Sequence, residues 1–265
     1  MNLRLRSPLH EDQALYLPSE MARLARAFNG SICSEKGDEY PVNNNIADLL
    51  THEHNYTIAQ STNHWKVTAA VYEDIWRVRS LSLLTGEPFP VGKEKELLGK
   101  WVEPRPDNLY LDVGCSTALY ARSVKKYEQK CHVVALDFAL AMLEEARLKA
   151  EADETDLYLV RADAREMPFY ANTFDGLMMG GTLNELNDEM KVLYECRRVL
   201  KRDGVLFMMH LIESETWYGR ILQNSAQWSG IQFWSLTESN QLFERAGFTI
   251  ADQFTRGIVC FTKLV

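Results

Sequence analysis

Leu109-Tyr110-Leu111-Asp112-Val113-Gly114-Cys115-Ser116-Thr117-Ala118 is the stretch that decides the fold. A short, mostly apolar run ends at a glycine, and helical spacing follows through Tyr120, Val124 and Tyr127. Two later stretches share this grammar: Val133-Val134-Ala135-Leu136-Asp137 and Arg161-Ala162-Asp163-Ala164. Each puts a polar or small residue where an apolar strand runs out. In an open parallel sheet, ligands bind in the crevice beyond such strand ends. Three βα units with matched end residues therefore describe a nucleotide-type pocket.

Outward from this core, strands are predicted at Leu109–Val113, His132–Leu136, Leu157–Val160, Phe174–Met179 and Val205–Leu211, with two more at Phe248–Ile250 and Ile258–Leu264. Helical periods lie between them, such as Ala139, Met142, Leu143 and Ala146, then Leu193, Cys196 and Leu200. This alternation predicts an α/β chain with a doubly wound, mostly parallel seven-stranded sheet over residues 105–265. Ser235-Leu236-Thr237-Glu238 reads as a capping box opening a helix that stops at Gly247. Residues 1–104 read as a helical and irregular cap, with helices at Glu20–Phe28, Asn63–Leu84 and Lys93–Trp101. Gly86-Glu87-Pro88-Phe89-Pro90 breaks the second of these, and Pro104-Arg105-Pro106 leads into the first strand.

The bulk composition narrows the class. With 265 residues, 46% of them hydrophobic and 25% charged, the chain can bury a full core. A net charge of -8 without a Lys/Arg cluster weighs against a nucleic-acid footprint. Five cysteines without a CxxC pair make neither a disulfide framework nor a zinc ribbon, and Cys115 and Cys131 read as small buried apolar residues. No signal-peptide h-region and no apolar run of membrane-spanning length are visible, which points to a cytoplasmic setting.

The candidate site follows from the strand ends. Gly114 permits positive φ and close backbone approach, and the helix that follows offers unpaired N–H groups to a carboxylate. A dinucleotide site wants Gly-x-Gly-x-x-Gly, and Ser116 stands where its second glycine belongs. A ligand with a carboxylate and no phosphate fits better, with Asp112 answering a cationic amino group. Asp137, 23 residues after Gly114, can accept both hydrogen bonds of a ribose diol, although a lone Asp there would cap the next helix. Asp163 can accept from an adenine amine and the Ala164 N–H can donate to a ring nitrogen; a turn cap is the plainer alternative. Gly180-Gly181 leaves room for ligand contact at the fourth strand end.

These segments resemble the class I S-adenosylmethionine-dependent methyltransferases, most nearly the small-molecule enzymes similar to the ubiquinone/menaquinone methyltransferases. The resemblance covers roughly Leu109 to Phe248. It includes Met167-Pro168-Phe169 with Phe174-Asp175, and Glu195 with Arg198-Val199-Leu200-Lys201 and Gly204. It implies S-adenosylmethionine as cofactor, with Asp112 and Gly114 at the methionine part, Asp137 at the ribose, and Asp163 and Ala164 at the adenine; Ser116 and Gly180 complete the expected cofactor-binding set. Ser116 and Ala118 replace two glycines of the family pattern, and Glu185 stands where many relatives carry His. Tyr40-Pro41-Val42, Ile46 to Leu50 and Tyr72-Glu73 resemble the zinc-ribbon tail and linker helix of some chloroplast and cyanobacterial methyltransferases, but Cys33 stands alone, so no metal site is expected. His52, His54 and His64 read as exposed or capping residues.

Methyl transfer from a sulfonium needs mainly proximity and orientation, with a base only where the acceptor must lose a proton. His210 and Glu185 are the candidate bases. Trp65, Tyr72 and Trp76 before the first strand, and Trp217, Tyr218, Trp228, Phe233 and Trp234 after the fifth, suit a quinone, isoprenoid or aromatic small-molecule acceptor. The competing readings are an RNA methyltransferase and a non-catalytic binding or regulatory module that kept the fold.

Overall fold

The computed structural model describes residues 3–24, 26–51, 90–228 and 230–265, apart from the side chains of Tyr218, Leu222, Ser225 and Ala226. Five strands come first: β1 (Leu3–Arg6), β2 (Ala14–Leu17), β3 (Gly30–Cys33), β4 (Glu39–Asn43) and β5 (Ile46–Asp48). Then follow α1 (Val91–Val102), β6 (Leu109–Val113), α2 (Leu119–Tyr127), β7 (His132–Asp137), α3 (Leu140–Ala152), β8 (Tyr158–Arg161) and β9 (Phe174–Gly180). The chain closes with α4 (Glu189–Val199), β10 (Leu200–Leu211), α5 (Trp217–Gln227), α6 (Leu236–Arg245), β11 (Ile250–Arg256) and β12 (Val259–Leu264).

The main sheet runs β11-β12-β10-β9-β6-β7-β8-β5-β4-β3. From β10 through β5 every neighbouring pair is parallel. The β12 strand enters antiparallel between β10 and β11. Chain order reverses between β6 and β9, the switch point at which such sheets open a crevice. All five β6 residues are buried, because helices cover both faces of a parallel interior. Leu111, Val113, Val134 and Leu136 face one core with α4, α6 and the β1–β2 hairpin. Tyr110, Val133, Ala135 and Phe207 face the other, with α1, α2 and α3.

The α/β class and the parallel sheet agree with the sequence reading; the strand count does not. Among the described residues the sheet has ten strands rather than seven, because β3, β4 and β5 extend it past β8. The expected helix over Glu20–Phe28 is a single 3-10 turn at Ser19–Ala22. Met21 and Leu24 are buried as the pattern requires. The Asn45 side chain donates to the Met21 and Arg26 carbonyls and accepts from the Phe28 N–H, satisfying backbone groups that a longer helix would have paired internally. So the cap over residues 1–104 is largely β-structure where it is described. The expected helix at Asn63–Leu84, with His52, His54, His64, Trp65, Tyr72, Glu73 and Trp76, lies outside the described residues. Lys93–Trp101 is helical as expected, within α1. The capping box is present, with Ser235 Oγ accepting from the Glu238 N–H and Glu238 from the Ser235 N–H.

Candidate active site

A cleft with about 720 Å³ of free space, its open mouth included, lies at the carboxyl ends of the parallel strands. Gly114 and Ser116 come from the end of β6, Asp137 and Phe138 from β7, Asp163 and Ala164 from β8, and Gly180 from β9. Four strand ends far apart in sequence thus meet at one place. Glu185 and Leu186 line the opposite wall.

The first turn is held by its neighbours. The Cys115 N–H donates to the Leu136 carbonyl, and the Ser116 N–H donates to Asp137 Oδ2 at 2.8 Å. Asp137 Oδ1 accepts from the Ala139 N–H at 2.9 Å, next to the start of α3. The buried carboxyl therefore ties two turns together while facing the cleft. Burial raises its pKa to about 6, and the backbone donors only partly offset that rise. Gly114 has φ +62°, and a Cβ there would lie 2.4 Å from Thr182 Cγ2. Thr182 packs over the turn and donates from Oγ1 to the Gly114 carbonyl at 3.1 Å. Only glycine fits.

Ser116 and Ala118 also adopt left-handed conformations, with φ +49° and +59°. These are the positions where the family pattern has glycine, and each side chain carries a strain of about 1–2 kcal/mol. Ser116 Oγ lies 3.4 Å from Met142 Sδ. Cys115 is buried, which pushes its thiol well above the ordinary range and removes it as a nucleophile.

Asp112 does not line the cleft. It is 2% exposed, and its Oδ2 accepts from the Ala121 N–H at 2.9 Å, anchoring the first turn of α2. Asp163 lines the cleft but is already engaged: Arg165 Nε and Nη2 donate to its two oxygens at 3.0 and 2.7 Å. His210 is fully buried on β10, outside the cleft, edge-on to Phe243. Neither ring nitrogen has a hydrogen-bond partner among the described residues. Burial lowers its pKa to about 3, so the ring is neutral at ordinary pH. Of the two candidate bases, only Glu185 is in the cleft. Of the expected aromatic wall, Trp217 and Trp228 are exposed and Trp234 packs against the core, while Trp65, Tyr72, Trp76 and the Tyr218 side chain lie outside the described residues.

Thr182 closes the fourth strand end, Gly180-Gly181-Thr182, to which the sequence assigns no side-chain role, and Arg165 and Phe138 each neighbour a strand-end residue without standing in a motif. Proximity to a recognised end is the one signal that could have found them. The Met167-Pro168-Phe169 and Glu195/Arg198 motifs prove to be one clasp. Arg198 donates to the Met167 and Phe169 carbonyls and pairs with Glu195, which accepts from the Met167 N–H. It fixes the loop after β8 and with it the Asp163–Arg165 turn.

Comparisons with known proteins agree with this geometry. Residues 111–208 match the family described as Methyltransferase domain. A demethylmenaquinone methyltransferase of Thermotoga maritima is 32% identical over 115 residues, 43% of this chain and 48% of that protein. A ubiquinone/menaquinone biosynthesis C-methyltransferase of a Ruegeria species is 33% identical over 117 residues, 43% of this chain and 47% of that protein. The aligned region is thus about half the length of these curated relatives. A SAM-dependent methyltransferase structure from Aquifex aeolicus superposes with a TM-score of 0.53 and 22% identity, over 64% of this chain and 88% of that one. That similarity bears on the fold, and the domain match implies S-adenosylmethionine as the cofactor. The segment 111–208 is a methyltransferase domain, similar in sequence to that of the quinone methyltransferases.

Proposed function

We propose that the chain transfers a methyl group from S-adenosylmethionine to a small-molecule acceptor of the quinone, isoprenoid or aromatic class, with residues 105–265 as the cofactor-binding unit. The observation that carries this reading is the meeting of Gly114, Asp137, Ala164 and Gly180 in one cleft at the switch point. The residues fit a nucleoside. A buried carboxylate can accept from a diol, Leu136, Phe138 and Leu186 offer apolar surface to a base, and two glycines leave space for an aliphatic stem. The relatives named as quinone methyltransferases support the acceptor class.

When bound, S-adenosylmethionine supplies a methyl group on a sulfonium, which is already a good leaving group. Asp137 would hold the ribose while retaining its bonds to Ser116 and Ala139, since each oxygen has a second lone pair. Ala164 would contribute its N–H to the base. Thr182 keeps the Gly114 carbonyl turned into the loop, which fixes the floor of the cleft. Glu185 would take the proton of a hydroxyl or ring-carbon acceptor. Asp112 would act at a distance, by setting α2 and its N-terminal amides.

The test is calorimetric titration with S-adenosylhomocysteine. Micromolar binding, about −8 kcal/mol, is expected, weakened at least about tenfold in Asp137→Ala. Glu185→Gln should then slow methyl transfer to a quinol acceptor by about 100-fold at unchanged cofactor affinity. The strained Ser116 and Ala118 and the engaged Asp163 favour a second reading, a binding module without catalysis. Failure of the native chain to bind the ligand would decide for it.

A further inference from the structure

A second, larger cleft adjoins the first, with about 1010 Å³ of free space, its mouth included. It lies between the segment after β1, the residues after β5, the turn following β8 and α4. The two clefts share Asp163 and Arg165, whose ion pair forms part of the wall between them. Arg6, Lys191 and Arg198 bring three more cationic side chains to the second cleft. Arg6 Nη2 and Arg198 Nη2 both donate to the Met167 carbonyl, at 3.4 and 3.0 Å. Two guanidinium groups thus converge on one oxygen.

Each cation has a carboxylate partner, so the resting cleft is balanced, but the pairs differ in permanence. Arg198 and Glu195 are locked into the backbone of residues 167–169 and cannot separate without losing that loop. Arg6 pairs with Glu11, whose side chain is 73% exposed, and Lys191 pairs with Glu166, which is 54% exposed. Exposed pairs of this kind contribute little and exchange readily. An incoming anion can therefore take Arg6 and Lys191 while Glu11 and Glu166 turn to water.

We infer that this cleft binds a small dianion, a phosphate ester or a dicarboxylate, between Arg6, Lys191 and Arg165. Binding also reaches the neighbouring site. Arg165 occupies both oxygens of Asp163, the carboxylate that faces the first cleft. A dianion that draws Arg165 toward itself releases Asp163 to accept from an adenine amine. This coupling rests on the cofactor assignment proposed above; the dianion site itself does not. By linkage, each ligand then strengthens the other.

The experiment is calorimetric titration of the whole chain, at low ionic strength, with inorganic phosphate and separately with malonate. The affinity for S-adenosylhomocysteine is then measured with and without the anion. One of the two anions is expected to bind with a dissociation constant below about 1 mM, and the one that does identifies the source as phosphate or carboxylate. Arg6→Gln combined with Lys191→Gln should weaken that binding at least about tenfold, and Lys191→Gln alone should weaken it at an unchanged melting temperature, since both members of its pair with Glu166 are exposed. Bound anion should raise affinity for the homocysteine ligand about threefold or more. No binding of either anion at about 10 mM, or binding indifferent to the double substitution, overturns the site. Anion binding without effect on the homocysteine ligand overturns the coupling alone. Anion binding to a chain that ignores that ligand counts against the cofactor assignment and supports the dianion site.

Discussion

The interior strands β6, β7 and β8 and the added strands β3 and β4 belong to one sheet but solve different problems. The interior strands are buried almost throughout and stay parallel, with helices on both faces. The β4 strand alternates exposed and buried residues and pairs antiparallel on both sides. The interior ends in a cleft whose polar groups are drawn from four strands. The β3–β4 end closes its polar groups locally: Asp38 accepts from His10, Ser34 and Ser7, and Ser7 bonds Tyr40. One region leaves hydrogen-bonding capacity facing a ligand, and the other spends it on itself. A sheet built for binding keeps its strand ends small and unfilled, while an edge extension seals its own.

The sharpest way to break the comparison is to add one methyl group in each region. Gly114→Ala meets Thr182 at 2.4 Å and keeps a positive φ, so it should cost about 3 kcal/mol or more and abolish binding of S-adenosylhomocysteine. Gly37→Ala has φ +90° but nothing within 4 Å, so strain alone, about 1 kcal/mol, is expected with binding intact. Denaturant melts and calorimetry on the pair check both; equal losses would remove the distinction.

The next effect lies in the added region. Asn45→Ala deletes three hydrogen bonds to buried or half-buried backbone, and the new residue keeps the φ of +67°. A loss of about 2–3 kcal/mol in a urea titration is expected, with little change in cofactor affinity. If binding fell in parallel with stability, the two regions would be acting as one unit.

Two aspartates should respond to pH with opposite sign. Asp137 has a raised folded pKa of about 6, so its burial costs nothing below the unfolded value near 4 and about 3 kcal/mol once pH exceeds 6. Ligand binding needs the ionised form, so affinity should fall about tenfold per unit below pH 6 and be lost more gently in Asp137→Asn. Asp38, held low mainly by His10, contributes stability that is present above its unfolded value and is lost as pH falls through its folded one. Binding calorimetry between about pH 5 and 8 reads Asp137, and denaturant melts carried down to about pH 2 read Asp38. Flat affinity across pH 6 would remove Asp137 from the ribose role.

The smallest effect sharpens the same contrast. Ser116→Gly and Ala118→Gly relieve left-handed strain but loosen the unfolded chain, leaving a net gain of about 0.5–1 kcal/mol each. A melting temperature raised by a few degrees, with tighter ligand binding, is expected. Lower stability would show that the two side chains serve packing that outweighs their strain.

The sequence by itself determined the interior of this protein. Strands that end in Gly114, Asp137 and Asp163 announce themselves, because burial on both faces demands continuous apolar runs and ligand access demands a small or polar residue after each. The cleft at the strand ends was legible for that reason. Tertiary structure decided what each named residue does there. Asp112 turns to α2, Asp163 is met by Arg165, and His210 is sealed against Phe243, because a side chain's partner depends on which elements pack beside it. It also decided the edge. The helical spacing of Met21, Leu24 and Phe28 gave way to a single 3-10 turn because the Asn45 side chain offered the backbone other partners. Local periodicity cannot register a hydrogen bond that comes from a residue about twenty positions away.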